Sequence, residues 1–204
     1  MVIVGLTGSI GMGKTTVAAM FRERGIAVFD ADAEVHRLYE GEAVPLVEQA
    51  FPGTTKEGRV DRTALAAALA KEPEDFRRLE AIVHPLVKRA ETAFIRGEAK
   101  RDAAIAVLEI PLLFEAGLDA KVDRTLVVSA PEEVQRARIL DRPGMTVERL
   151  EMIFARQIPD GEKRRRADFV VDTGTSHAET EAAVSVIIAR LIGETGTAFD
   201  RFWH

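Results

Sequence analysis

The sequence predicts an α/β fold in which a parallel β-sheet of about five strands is covered by helices on both faces. Two observations support this prediction. Short apolar runs bounded by turn residues alternate with amphipathic stretches of helical period along most of the chain. A polar, helix-rich block over residues 33–100, with no clear strand, interrupts this alternation, so we expect it to be a helical insertion in the α/β core.

Five short apolar runs are the candidate strands. They span residues 2–7, 26–29, 104–110, 125–129 and 169–171. Runs of this length that are rich in β-branched residues are typical of buried parallel strands. The first run, a helix and the second run together predict a βαβ unit with a right-handed crossover. Because the carboxyl ends of parallel strands meet at one edge of a sheet, we expect ligands to bind there.

Helix boundaries are indicated by capping residues and by prolines. Ser129 with Glu132, and Ser176 with Glu179, have the spacing of a capping box, so each serine is expected to begin a helix. Inside the insertion, the dipeptide His84-Pro85 is expected to end a helix, because the residue before a proline is biased away from the helical conformation.

Composition and charge exclude several classes of protein. Lysine plus arginine is 28 and aspartate plus glutamate is 33, so the net charge is −5, whereas a general nucleic-acid binder is basic. The absence of cysteine excludes disulfides and thiolate zinc sites. No run approaches the roughly 20 apolar residues of a membrane span, and no signal peptide is visible. We therefore expect a soluble, cytoplasmic protein without nucleic-acid or membrane partners, either a monomer or a weak homo-oligomer.

A glycine-rich segment between the first strand and the first helix indicates the chemistry. Residues 8–15, Gly-Ser-Ile-Gly-Met-Gly-Lys-Thr, match the phosphate-binding pattern G-x-x-x-x-G-K-[ST] at every fixed position. The glycines allow backbone angles with which successive N–H groups surround a phosphate at a helix N-terminus. Lys14 would hold the β- and γ-phosphates of ATP, and the Thr15 hydroxyl would coordinate Mg²⁺. The predicted nucleotide-binding residues are Gly8, Gly11, Met12, Gly13, Lys14, Thr15 and Thr16.

The fold is therefore expected to be of the P-loop NTPase type, with residues 1–32 and 101–204 as the nucleotide-binding core. A switch GTPase would need an N/T-K-x-D segment and a D-x-x-G element after the third strand, and neither is found. The remaining class is a small-molecule kinase, which needs an acceptor site and cations over the transferred phosphoryl group. A kinase of another small acceptor, such as a nucleoside monophosphate or shikimate, and a nucleotide-binding module without catalysis stay open as alternatives.

Charged residues at the predicted strand ends are candidates for the other roles. Asp30 and Asp32 follow the second strand, and a carboxylate there could orient the acceptor hydroxyl or cap the next helix. We favour Asp32 for the chemistry. Arg142 lies in a segment of about 141–165 that we interpret as a mobile lid, and it is the candidate cation for the triphosphate. Glu109, at the end of the third strand, could position Mg²⁺ or the acceptor, or cap the segment that follows.

Three further features have mainly structural interpretations. His84 is more often a structural residue than a ligand, although it remains a candidate substrate contact. The basic run 163–166 is expected to be a solvated face that raises the local potential for a polyanionic ligand. Trp203, near the end of the chain, is expected to be packed or part of a frayed tail.

Five segments, taken together and in this order, resemble the dephospho-CoA kinase family. They are GLTGSIGMGKTT at 5–16, DAD at 30–32, HPLV at 84–87, IPLLFE at 110–115 and ADFVVD at 167–172. The resemblance extends from residue 2 to about residue 190. It implies the reaction of ATP with 3′-dephospho-CoA to give ADP and CoA. It also implies three parts: a nucleotide-binding core, a helical CoA-binding domain and a lid.

Carried over by position, the resemblance implies roles for three residues. Lys14 would hold the phosphates, Asp32 would be the base for the ribose 3′-hydroxyl, and Arg142 would be the lid cation. The helical CoA-binding domain would correspond to residues 33–100. Two positions depart from the family pattern, because Ser9 stands where a second glycine is frequent and Thr173 where an asparagine is frequent.

Overall fold

The computed structural model describes residues 1–70, 72, 74–142, 144–154 and 157–204, with only the backbone of residues 147–149. It divides the chain into two compact units, one of residues 1–29 and 95–204 and the other of residues 30–94. In chain order, the helices and strands are β1 (Val2–Thr7), α1 (Lys14–Glu23), β2 (Ala27–Asp30), α2 (Ala31–Tyr39), α3 (Val44–Ala50), β3 (Thr55–Lys56), β4 (Arg59–Val60), α4 (Arg62–Leu69), α5 (Glu74–Lys100), β5 (Ile105–Glu109), β6 (Arg124–Ser129), α6 (Glu132–Leu140), α7 (Val147–Phe154), α8 (Asp160–Arg166), β7 (Phe169–Asp172) and α9 (His177–Ile192).

The predicted α/β fold is confirmed by a five-stranded parallel sheet with helices around it. The strand order is β2-β5-β1-β6-β7, so the first strand of the chain lies at the centre of the sheet. Strand β1 pairs with β5 from Val2 opposite Ile105, and with β6 from Val4 opposite Arg124. This order brings the carboxyl ends of β1, β5 and β6 to one edge, where the glycine-rich segment leaves β1.

All six residues of β1 are buried, which requires that both faces of the sheet are covered. One face packs against α1 and α9 in a single apolar core. Phe21 of α1 and Leu191 of α9 are both fully buried in it, together with Leu6 of β1. This continuous burial explains why the strands are short runs of apolar residues rather than alternating apolar and polar sequences.

The second unit contains a short hairpin that the sequence did not reveal. The expectation of an insertion without strands was wrong, because β3 and β4 pair antiparallel with Thr55 opposite Val60. Each strand has only two residues, which is too short to show an alternating pattern. The Glu48 carboxylate supports the hairpin by accepting hydrogen bonds from Gly53 N and from the N–H and hydroxyl of Thr55, and these bonds lower the pKa of Glu48.

Helix α5 is continuous through Pro85, so the expectation that His84-Pro85 ends a helix was wrong. A proline inside a helix removes one hydrogen bond and costs about 3 kcal/mol. Burial of flanking side chains offsets this cost, since each buried large apolar side chain contributes about 1.5–3 kcal/mol. Val83 and Leu86 are both buried, and Leu86 belongs to the core of the second unit with Leu38 and Val47. Packing therefore outweighs the local preference.

The two predicted capping boxes have different outcomes. Ser176 begins α9 with a complete capping box to Glu179, as predicted. Ser129 does not cap α6, because the residue before that helix is Pro131, which makes no side-chain cap. The Ser129 hydroxyl instead donates to Asp160 Oδ2 at 2.7 Å. A contact across 31 positions of sequence has replaced the local one.

The last residues of the chain are packed against the rest of the first unit. Trp203 is 4% exposed, and its Nε1 donates to the Lys121 carbonyl at 2.9 Å. The Asp123 carboxylate accepts hydrogen bonds from Ile3 N and from Thr197 N. Within the described part of the chain, none of the helices has the length and apolar character needed to cross a membrane.

Candidate functional site

The glycine-rich loop, defined as residues 8–15, joins β1 to α1. Gly11 and Gly13 have φ angles of +78° and +80°, in the left-handed region that favours glycine. Gly13 is the N-cap of α1, and a Cβ at Gly11 would lie 2.6 Å from Cγ1 of Ile139. Both glycines are therefore required by the backbone path, and this path turns the loop directly into the helix.

The start of α1 carries backbone donors and a lysine next to each other in sequence. Thr16 N and Val17 N donate to the Gly13 carbonyl, and these are the first hydrogen bonds of the helix. The N–H groups of Lys14 and Thr15 precede them in sequence, at the start of α1. Backbone N–H groups in this position, with the positive end of the helix dipole, favour an anion. Lys14 is half-buried, and Thr15 and Thr16 are exposed. This arrangement suits a bound phosphate chain.

Contacts of Met12 with Ala130 and Thr173 hold the loop against the strands. Met12 is 2% exposed, and its sulfur accepts a hydrogen bond from Ala130 N at 3.1 Å. The Thr173 hydroxyl donates to the Met12 carbonyl at 2.8 Å. A Cβ at Gly13 would lie 3.1 Å from this hydroxyl oxygen. Thr173 is thus a support of the loop, a role that the sequence did not indicate.

Arg138 is the second residue that the sequence analysis missed. Its guanidinium donates to the Thr173 carbonyl at 2.7 Å, to the Thr173 hydroxyl at 3.2 Å and to the Gly11 carbonyl at 3.5 Å. Arg142, the predicted lid cation, is exposed just beyond the end of α6, and its neighbour Pro143 lies outside the described residues. Arg138 precedes Arg142 by four positions, so helical spacing could have suggested both.

Two glutamines hold the outer part of the loop at Ile10. Gln135 of α6 donates from Nε2 to the Ile10 carbonyl at 2.7 Å. Gln157, beyond α7, accepts the Ile10 N–H at Oε1 over 3.2 Å. Uncharged amides in a sequence carry no recognisable motif, which is why the sequence analysis passed over both residues.

Lys163 is fully buried, so the expectation that 163–166 is a solvated face was wrong at its first residue. The other three residues of the run are exposed. The Lys163 Nζ lies 2.8 Å from Glu115 Oε1, and Glu115 also accepts the Ile158 N–H at 2.9 Å. Burial raises the pKa of Glu115, but the ion pair with Lys163 and the Ile158 N–H outweigh it, so the pKa is lowered. This pair ties α8 to the segment after β5.

Glu109 is the last residue of β5 and is 4% exposed. Its Oε2 lies 3.8 Å from the Arg22 guanidinium of α1. A buried carboxylate at a strand end is consistent with each of the roles considered for it, so its part in binding Mg²⁺ or the acceptor stays a prediction.

The remaining predicted residues belong to the second unit. Asp30 is the N-cap of α2 and accepts the Ala33 N–H at 2.9 Å. Asp32 lies in the first turn of α2 with an exposed side chain. Asp30 is therefore the cap of α2 and Asp32 is not, and the role of Asp32 in the chemistry stays a prediction. His84 is exposed in the middle of α5.

The described residues contain no group of three or more histidine, aspartate or glutamate side chains that could hold a metal ion. A magnesium ion bound with a nucleotide needs only one or two protein ligands, since phosphate oxygens and waters supply the rest. The exposed Thr15 hydroxyl, one residue into α1, fits that limited requirement.

Comparison with protein families and curated relatives gives a consistent result. Residues 2–179 match the family model described as dephospho-CoA kinase. A dephospho-CoA kinase of Brucella melitensis is 53% identical over 198 residues, covering 97% of this chain and 99% of the relative. A dephospho-CoA kinase of Rhizobium etli is 56% identical over 191 residues, covering 94% of each chain.

Solved structures of similar proteins superpose on this chain over most of its length. A protein of Thermus thermophilus superposes with a TM-score of 0.78 at 39% identity, covering 93% of this chain and 97% of its own. A dephospho-CoA kinase of Campylobacter jejuni gives a TM-score of 0.70 at 25% identity, covering 93% and 96%. A shikimate kinase of Bacteroides thetaiotaomicron, with a TM-score of 0.52 at 13% identity and coverage of 93% and 98%, shares the fold.

Proposed function

Because the chain belongs to the dephospho-CoA kinase family, we propose that it transfers the γ-phosphoryl group of ATP to the 3′-hydroxyl of the dephospho-CoA ribose. The products are ADP and CoA, and the reaction is the last step of coenzyme A synthesis. The observation that carries this proposal is the loop of residues 8–15, in which Gly13 at φ +80° is the N-cap of α1 and Lys14 is the first residue of the helix. That geometry supports binding of a triphosphate at the N-terminus of the helix.

Lys14 neutralises charge on the β- and γ-phosphates as the bond between them breaks. The N–H groups at the start of α1 hold the same oxygens in a fixed array, which costs no reorganisation during the transfer. The Thr15 hydroxyl would hold Mg²⁺, and the ion supplies further charge stabilisation on the phosphate oxygens.

Asp32 orients the acceptor for in-line attack and accepts the proton of the 3′-hydroxyl. A new bond forms between the 3′-oxygen and the γ-phosphorus, and the bond to the β-phosphate oxygen breaks, which releases ADP. Transition states of phosphoryl transfer leave little covalent work to the protein, so positioning accounts for most of the catalysis.

Arg142 and the lid, about 141–165, cover the reacting groups, and residues 157–163 at the far end of the lid stay held by Glu115 and Ser129 while Arg142 closes. Closure of a lid excludes water, which would otherwise accept the phosphoryl group. The Arg142 guanidinium would reach the triphosphate when the lid closes. Its exposed side chain, beyond the end of α6, leaves it free to move.

The acceptor binds to the helical insertion, residues 33–100. His84 and Glu109, with Asp32, are the proposed substrate contacts of this chain. The exposed position of His84 on α5 supports its access to a ligand, and the buried position of Glu109 at the end of β5 supports a fixed, charged contact.

An acceptor screen tests this function. The purified protein is incubated with ATP, Mg²⁺ and one acceptor at a time, and ADP release is measured with coupling enzymes. We expect turnover with dephospho-CoA and none above background with shikimate or nucleoside monophosphates. Turnover with another acceptor and not with dephospho-CoA would assign a different kinase activity. ATP binding without any acceptor-dependent turnover would indicate a nucleotide-binding module without catalysis.

A cytoplasmic location and a monomeric or weakly associated state are proposed from the sequence. The net charge of −5 supports the second proposal, since like charges on separate copies disfavour their association. Sedimentation velocity at several protein concentrations tests the second point, and a stable oligomer at all concentrations would contradict it.

A further inference from the structure

The backbone of Ile10 is held on both sides by side chains from outside the glycine-rich loop. Gln157 accepts its N–H at 3.2 Å, and Gln135 donates to its carbonyl at 2.7 Å. Loops of this type bind phosphate with successive backbone N–H groups. In this protein the N–H of Ile10 is bonded to an amide oxygen instead. The shape of the loop at Ile10 therefore depends on where the Gln157 side chain lies.

The position of Gln157 is fixed by its neighbours in sequence. Gln157 N donates to the Phe154 carbonyl at 3.0 Å, which joins it to the end of α7. The next N–H, that of Ile158, donates to Glu115 Oε1 at 2.9 Å. Glu115 is itself held by the buried Lys163. Residues 157–163, which we call the anchor segment, are thus tied to the segment after β5.

A second tie joins the anchor segment to the sheet. Asp160 Oδ2 accepts the Ser129 hydroxyl at 2.7 Å, and Ser129 is the last residue of β6. The anchor segment therefore contacts the loop after β1, the segment after β5 and the end of β6. These are the three neighbouring strands at the centre of the sheet. Such a segment can set the loop relative to the strands that support it.

We propose that Gln157 is a positioning residue that holds the glycine-rich loop in its nucleotide-binding shape. This proposal rests on the proposed function, in which the loop binds ATP. Without the Gln157 acceptor, the Ile10 N–H would be free to turn toward other acceptors, and the loop would populate further conformations. A ligand binds more weakly in proportion to the fraction of protein in the competent conformation.

Gln157→Met tests the proposal, because methionine has a similar length and offers no amide oxygen. Loss of one hydrogen bond predicts a roughly 2- to 10-fold rise in the KM for ATP. The KM for dephospho-CoA should stay within about 2-fold of the unaltered protein, because the hydrogen bond that is lost belongs to the glycine-rich loop. Ser176→Ala is the control, since it removes the side-chain hydrogen bonds of the cap of α9 at a residue with no proposed role in binding.

Three outcomes would overturn the proposal. The KM for ATP could be unchanged, or both KM values and the melting temperature could shift together, as a merely structural residue would cause. The third is a control variant that raises the KM for ATP as much as Gln157→Met does. The dissociation constant for ATP, titrated calorimetrically without acceptor, separates this test from the proposed function, because it gives a result even where no acceptor is turned over.

Hydrogen exchange of the unaltered protein gives a second test that does not depend on a variant folding. The Ile10 amide proton is bonded to Gln157 in this structure, so we expect it to exchange more slowly than an unbonded amide. Exchange of Ile10 at the rate of an unstructured peptide, in the protein without nucleotide, would overturn the proposal.

Discussion

The buried ion pair between Lys163 and Glu115 makes a quantitative prediction for Lys163→Met. Lys163 has no exposed surface, and its side chain lies 2.8 Å from a carboxylate that is 15% exposed. Methionine has a similar length without a charge, so the variant leaves the Glu115 carboxylate without its cation. Removing one partner of a buried ion pair costs about 3–5 kcal/mol. We expect the free energy of unfolding at pH 7 to fall by that amount.

The same loss can be expressed as a melting temperature. For a chain of 204 residues, each kcal/mol corresponds to about 2–4 °C, so the variant should melt roughly 6–20 °C lower. Urea unfolding followed by circular dichroism gives the free energy, and a thermal scan gives the temperature. Arg166→Met is the matched control in the same helix. Its side chain is 36% exposed in the ion pair with Asp119 and in the contact with the Phe114 ring, so the variant should cost at most about 1–2 kcal/mol.

A double variant separates the charge effect from the loss of packing. Glu115→Gln keeps an oxygen that can accept the Ile158 N–H but removes the charge. Combined with Lys163→Met, it should recover part of the lost stability, because no buried charge remains unpaired. The reasoning is refuted if Lys163→Met costs less than about 1 kcal/mol, or if the double variant is no more stable than Lys163→Met alone.

The remaining predictions concern the site, the pH and a helix cap. Lys14→Ala should lose most of the turnover while the melting temperature stays close to that of the unaltered protein, and near-normal turnover would rule out the assignment of the loop. Asp32→Asn should lower kcat far more than it raises the KM for dephospho-CoA, and the reverse pattern would make Asp32 a binding residue only. The pKa of Glu115 is lowered from its ordinary 4.5 in the folded protein, so its contribution to stability is complete above pH 4.5. Urea unfolding should show this contribution being lost as the pH falls below 4.5 and through the folded pKa, whereas a Glu115→Gln variant should lack that component. Ser176→Ala removes the capping box of α9 and should cost about 1 kcal/mol in the same urea experiment, and no measurable loss would show that the cap is unimportant.

The parts of the fold that follow from local pattern were predicted well. The five strands of the parallel sheet, the loop of residues 8–15 and the cap at Ser176 depend on residues that are close in sequence, where periodicity and turn chemistry are informative. The position of Asp30 and Asp32 directly after β2 likewise indicated that one of them could cap the next helix, and Asp30 does so. In this region of the chain, local preference and tertiary structure agree.

The errors occurred where a contact distant in sequence outweighs a local preference. Pro85 lies inside α5 because neighbouring side chains are buried, and Ser129 bonds Asp160 instead of capping α6. Lys163 was placed on a solvated face because the run contains three more basic residues, but its partner Glu115 is 48 positions earlier. Pattern alone cannot show which one of four adjacent cations is turned toward a partly buried carboxylate.

The supports of the loop were missed for a different reason. Thr173, Gln135 and Gln157 act through single hydrogen bonds to backbone atoms of the loop, so no charge pattern or residue spacing marks them. Arg138 carried a signal, since it lies four positions before Arg142 on the same helix. Only the path of the backbone shows that these side chains meet at residues 10–12.

The central position of β1 has a consequence for synthesis of the protein. Its partner β5 begins at Ile105, so 103 residues must be added after Val2 before the first pairing between these strands is possible. At the translation rates of cells this takes roughly 5–20 s. During that time the six residues of β1 have no β5 strand with which to pair. The second unit, residues 30–94, is made entirely within that interval and can fold first. The strand that leads into the glycine-rich loop is thus made before the second unit but gains its β5 neighbour only after that unit is complete.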